Sequence, residues 1–233
     1  AEDLDPGRCE VGLLIPRVAV NNRLDAFSAE LSLLHKTLGA FSELAIGGRP
    51  GFQIRTISST DLAVFLDLVP EVGACIAIAV ERLVALYKQL LEIRALRKQL
   101  ADQGLPEKNL QGIDSHANGH MQSGIETLIA ELIERYAATR DEGRRNELRT
   151  ELRVALNRLS NRIDKGYNVE VRVQPLPEPK GDSTADDEAK WKAVATILQA
   201  APGLQFLKPG GVPILSLPEP EDASQNQAKQ GAA

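Results

Sequence analysis

The chain has 233 residues, 43% of them hydrophobic. That is enough to build a substantial core and excludes a disordered protein. With 27 Lys and Arg against 32 Asp and Glu the net charge is −5, and aromatic residues are only 4%, which argues against a sequence-independent nucleic-acid binder and against base-stacking platforms.

Glu10 to Pro16 is a short apolar run closed by proline and predicts a buried strand. Asn21 or Asn22 can cap a helix from Arg23 to Ile46, in which Leu24, Phe27, Leu31, Leu34, Leu38, Phe41 and Leu44 keep helical spacing. Gly47-Gly48-Arg49-Pro50-Gly51 breaks it, and Phe52 to Ser58 alternates as a second strand. Strand, helix, strand predicts a βαβ unit with its two strands as parallel neighbours. Leu62 to Leu68 reads as a short helical turn, capped from Ser58-Ser59-Thr60-Asp61.

The stretch from Glu71 to Gln103 organises the chain. Val72, Ile76, Ala79, Leu83, Leu86, Leu90, Ile93, Arg97 and Leu100 recur at alternating spacings of four and three, and eight of these nine are apolar. The stripe marks a helix about 50 Å long that needs another surface to cover it. Pro70 starts this helix and Gly104 with Pro106 ends it. Small residues crowd its first half, which predicts close packing in the core. Arg97 interrupts the seam in its second half, which predicts a position near an edge, because a buried unpaired charge is costly.

Leu105 to His120 is rich in Asn, Gly, Asp and Ser and reads as a loop. A third helix is predicted from Met121 to Arg140 and a fourth from Arg145 to Lys165, ended by Gly166. Val169, Val171 and Val173 alternate with polar residues as a third strand. The expected fold is α+β: a small mixed sheet of about three strands packed by long antiparallel helices forming a coiled-coil-like hairpin or bundle, over residues 8–174. Residues 175–185 read as a Pro, Gly and acidic linker and 186–217 as a helix followed by an extended apolar segment, Pro213 to Pro218, able to dock on the sheet or on a partner. Residues 218–233 are expected to be a disordered tail.

Candidate chemistry is sparse. His116 and His120 with Asp114 are the one cluster of metal-ligand residue types, but a loop setting and the lack of a third strong ligand predict no metal site. Cys75 lies among small apolar residues and reads as an inert buried thiol, whereas Cys9 is expected to be exposed. Two cysteines in a chain of this length fit a reducing compartment. No basic and apolar leader follows the opening Ala-Glu-Asp-Leu-Asp, so the expectation is a cytoplasmic protein or a piece of one. Ser58 and Ser59 lack a Gly-x-Ser-x-Gly elbow, and Gly47 to Gly51 lacks the Gly-Lys-Ser/Thr ending of a phosphate loop. The stretch from Leu62 to Val80 is interrupted by Asp67, Pro70 and Glu71, which argues against a membrane span. The arginines of the fourth helix flank its leucine seam and are expected to pair across to neighbouring helices rather than to bind phosphates.

The reading that follows is a non-catalytic protein–protein interaction or self-assembly module acting through its long helices at Leu86, Leu90, Ile93, Arg97 and Leu100. It takes a protein partner or a second copy and no cofactor. The alternative is an enzyme or small-ligand sensor at the edge of the sheet, where Arg17, Asn21, Asn22, Ser58, Ser59 and Asp61 could gather.

Overall fold

A computed structural model describes residues 4–58, 62–179, 183–204 and 208–220. The elements run β1 (Cys9–Ile15), α1 (Leu24–Ile46), β2 (Gln53–Ser58), β3 (Leu62–Leu68), α2 (Pro70–Asp102), α3 (Glu107–Ala137), α4 (Glu142–Asp164), β4 (Asn168–Val173) and α5 (Ala185–Ala200). The fold is α+β. Among the described residues the sheet has four strands rather than three, in the order β2-β3-β1-β4, and it is antiparallel at every neighbouring pair rather than mixed.

The additional strand is β3, which replaces the expected helical turn at Leu62 to Leu68. Its residues are apolar almost throughout because it lies between two neighbours and buries Val64 and Leu66 in the core. β1 and β2 are both antiparallel to β3, so they do run parallel to each other, but as a split βαβ pair with β3 between them. One face of the sheet presents Cys9, Val11, Leu13 and Ile15 to the core. The opposite face carries Glu10, 3.6 Å from both Arg55 and Arg172, and the Phe65 ring over Gly12, where an added Cβ would lie 2.6 Å from the ring. Cys9 is therefore buried, not exposed, because it shares the core face of β1 and packs on Gly73 of α2.

α2 is the spine, with Val72 to Val80 buried without a break. It packs on α1, α3, α4 and α5 as well as on β1 and β4, so most of its stripe is covered from within the chain. The connection from α2 to α3 is Gln103 to Pro106, much shorter than expected. α3 starts at Glu107 and absorbs the predicted loop. Low intrinsic propensity at Gly112, Asn118 and Gly119 is overridden by burial of Leu110, Ala117 and Met121 at helical spacing. The same helix gives Arg97 its partners. Arg97 is 4% exposed, and its guanidinium donates to Asp114 at 2.6 Å and to Glu107, so the predicted edge position is corrected to a paired, buried one.

Other ends are closed as the chemistry requires. Asn21 and Asn22 do not cap α1; both take left-handed backbone conformations and close a 3-10 turn at Arg17 to Val20. At the far end of α1, Gly47 has φ 73° and Arg140 donates to the carbonyls of Glu43 and Leu44. Arg144, Arg153 and Arg162 of α4 pair with Glu43 and Glu30 of α1 and Glu126 of α3.

A candidate groove for an extended segment

α4 places Asn157, Asn161 and Asp164 at positions i, i+4 and i+7, on one face of the helix. All three are buried. A polar row at that depth needs partners, and the partner is the chain's own segment from Gly210 to Glu219. This segment has neither helix nor strand hydrogen bonding of its own and runs antiparallel to α4.

The groove begins at α2. Tyr87 donates to Asp164 Oδ1 at 2.7 Å, and Arg94 donates to the same oxygen at 2.5 Å. Asp164 is fully buried, and this pairing holds its other oxygen, Oδ2, in place to accept the backbone N–H groups of Ile214 and Leu215, each at 2.7 Å. Burial, then the bond to Asp164, pushes the Tyr87 hydroxyl pKa above its ordinary value, so it stays a donor. Arg94 also donates to the carbonyls of Gly210 and Gly211, at 2.7 and 2.6 Å.

Further along, Asn118 of α3 donates to the Ile214 carbonyl and accepts from Ser216 N–H. Asn161 donates to the Leu217 carbonyl and accepts from Leu217 N–H, both at 3.0 Å, and Asn157 donates to the Pro218 carbonyl at 2.9 Å. Nine hydrogen bonds thus join helix side chains to the main chain of residues 210–218. Ile214, Leu215 and Leu217 are buried against the helices while Val212, Ser216 and Pro218 face outward. The far end is ionic: Arg162 donates to both oxygens of Glu219 at 2.9 Å and to Glu30 at 2.5 Å. The segment therefore docks on helices, not on the sheet, and Pro218 and Glu219 are held in place, correcting the expectation of a tail that begins at 218; residues 221–233 lie outside the described ones.

The predicted interaction residues fall on both sides of the molecular surface. Leu90 and Arg97 are buried inside the chain, and Leu86, Ile93 and Leu100 are half-buried. Of the alternative site, Arg17 and Asn22 are brought together at 3.5 Å on an exposed turn, Asn21 beside them is exposed, and Ser58 ends β2. Ser59 and Asp61 lie outside the described residues. His116 and His120 are exposed on α3, a helix rather than the expected loop, and His120 contacts Gln89. Among the described residues no group of three or more His, Cys, Asp and Glu side chains is placed to hold a metal, and no helix is long and apolar enough to cross a membrane.

The groove residues carried a signal that the arginines of α4 obscured. Asn157, Asn161 and Asp164 lie at the margin of a leucine seam, and Ile-Leu-x-Leu is bracketed by prolines farther along. Neither pattern identifies the other as its partner. No protein-family model, no curated protein and no solved structure matches the chain.

Proposed function

We propose that this protein is a non-catalytic interaction module whose long helices α2, α3 and α4 hold an extended polypeptide segment by its backbone. The observation that carries the reading is the set of Arg94, Asn118, Asn157, Asn161 and Asp164, five side chains from three helices that hydrogen-bond to the main chain of residues 210–218. Main-chain bonds supply affinity and the apolar positions supply register, the division of labour used by peptide-recognition surfaces. Tyr87 and Arg94 of α2, which lie outside the segment, also hold Asp164, and a receptor group positioned by its own scaffold lowers the ordering cost of binding. In assembly such a segment comes from another chain.

The test is fluorescence anisotropy with a labelled peptide of residues 208–220, titrated into the full chain and into the full chain carrying Leu217→Asp. The substitution weakens the chain's own occupant. Saturable binding that is tighter to the variant supports the reading. If the variant is folded by circular dichroism and neither protein binds the peptide, the reading is wrong.

A further inference from the structure

Resting on that reading, we infer that the groove selects a partner segment by a carboxylate: an extended peptide with two adjacent apolar residues, a third apolar residue two positions after the second of them, and an acidic residue two positions farther on. The apolar part of this pattern is set by depth. Ile214, Leu215 and Leu217 are 3%, 7% and 4% exposed, and the intervening Ser216 points outward.

The acidic part is set by two buried cations at the end of α4. Arg158 and Arg162 are 6% and 5% exposed. Arg162 has Glu30 on one side and Glu219 on the other. The Nε of Arg158 makes no hydrogen bond and lies 4.0 Å from Glu219. Asn161 also donates to Glu219 at 2.7 Å. When the segment leaves, Arg158 and Arg162 lose the carboxylate they share and Glu30 alone remains against Arg162. A buried guanidinium left short of a counter-charge is costly, so any replacement occupant must bring an anion to this place.

The occupant is a segment of another protein rather than of a second copy. A second copy carries the same sequence, already seated in its own groove, and exchange would trade an intramolecular contact for an identical intermolecular one. A foreign segment with the same pattern and a better fit gains where an identical one does not. The chain's own residues 214–219 then act as a resident competitor, lowering the apparent affinity for any partner by the fraction of time they fill the groove.

The experiment compares two labelled peptides on the folded Leu217→Asp full chain: residues 208–220 as they stand, and the same peptide with Gln replacing Glu219. Affinity is expected to fall by at least about thirty-fold with Gln. Equal binding of both peptides refutes carboxylate selection while leaving the groove reading intact, whereas binding of neither refutes the groove reading itself. A second measurement does not depend on how Leu217→Asp folds. In the full chain carrying Glu219→Gln, hydrogen-exchange protection of the Leu215, Ser216 and Leu217 amides should drop about ten-fold while that of β1 is unchanged; unchanged protection overturns the proposal. Light scattering that finds wild-type dimers, lost in Leu217→Asp, overturns the choice of a foreign occupant.

Discussion

Asp164 is the residue on which the helices and the C-terminal segment converge. It accepts from Tyr87, Arg94 and two backbone amides at full burial. Asp164→Leu should destabilise the fold by about 3–5 kcal/mol in urea denaturation, because Arg94, 4% exposed, is left without its carboxylate. Replacing Arg94 by Met in the same chain should recover part of that loss, since removing both charges is cheaper than orphaning one. Gly73 is a second single-residue constraint. A Cβ there would stand 2.2 Å from the Cys9 sulfur, where β1 and α2 approach closely. Gly73→Ala should cost about 1–3 kcal/mol as an overpacked site, and Cys9→Ala in the same chain should relieve most of it. Thermal melts of the two variants decide the matter: an unchanged midpoint for Gly73→Ala would show that the strand and helix can separate at no cost.

Among the elements, α3 departs most from its local sequence. Gly112 and Gly119 sit inside this helix with nothing within 4 Å of where a Cβ would stand. Each therefore weakens the helix without serving packing, and Gly112→Ala and Gly119→Ala should each raise stability by about 0.5–1 kcal/mol. A loss of stability at either position would mean that residues 107–120 are not helical in solution. The length of α3 also explains why Arg97 is tolerated in the seam of α2. Glu107 and Asp114 lie two helical turns apart on α3 and meet its guanidinium, and only a helix through the Asn- and Gly-rich stretch brings both to it. Helix propensity and apolar periodicity located α1, the core half of α2 and α4 to within a few residues. They failed at Leu62 to Leu68, where an apolar run of seven fits a helical turn or a buried strand equally well until its neighbours are known.

For the whole molecule, burial controls the alkaline side of the stability profile. The Cys9 thiol is pushed up to about 12 from 9.0, chiefly by burial and then by the charges of Glu10, Glu71 and Asp67. Cys75 is raised by burial as well, and so are Tyr87, Tyr136 and Tyr167. Each group is held neutral in the fold but ionises at its ordinary value in the unfolded chain. Their contribution is therefore fully present below the ordinary thiol value and is lost as the pH rises toward the folded values, by up to about 1.4 kcal/mol per pH unit for each group. Urea midpoints should be lower at about pH 10.5 than at about pH 8, and both thiols should resist a thiol reagent until the chain unfolds. Equal midpoints at the two pH values would show that these groups are solvated.

The sequence alone determined which segments are apolar, where the glycine and proline stops fall, and that the class is α+β with long helices, because those properties depend on spacing within one segment. Only the tertiary structure decided which segments meet. β3 lies between β1 and β2 because its backbone finds hydrogen-bonding partners on both sides. Arg97 is buried because residues 10 and 17 positions later supply carboxylates. The row Asn157, Asn161 and Asp164 becomes a groove because a segment 50 or more residues away runs along it. A hydrogen bond or ion pair between distant segments leaves no periodicity in either of them. The candidate site is made almost wholly of such contacts, so its residues were present in the sequence but their pairing was not.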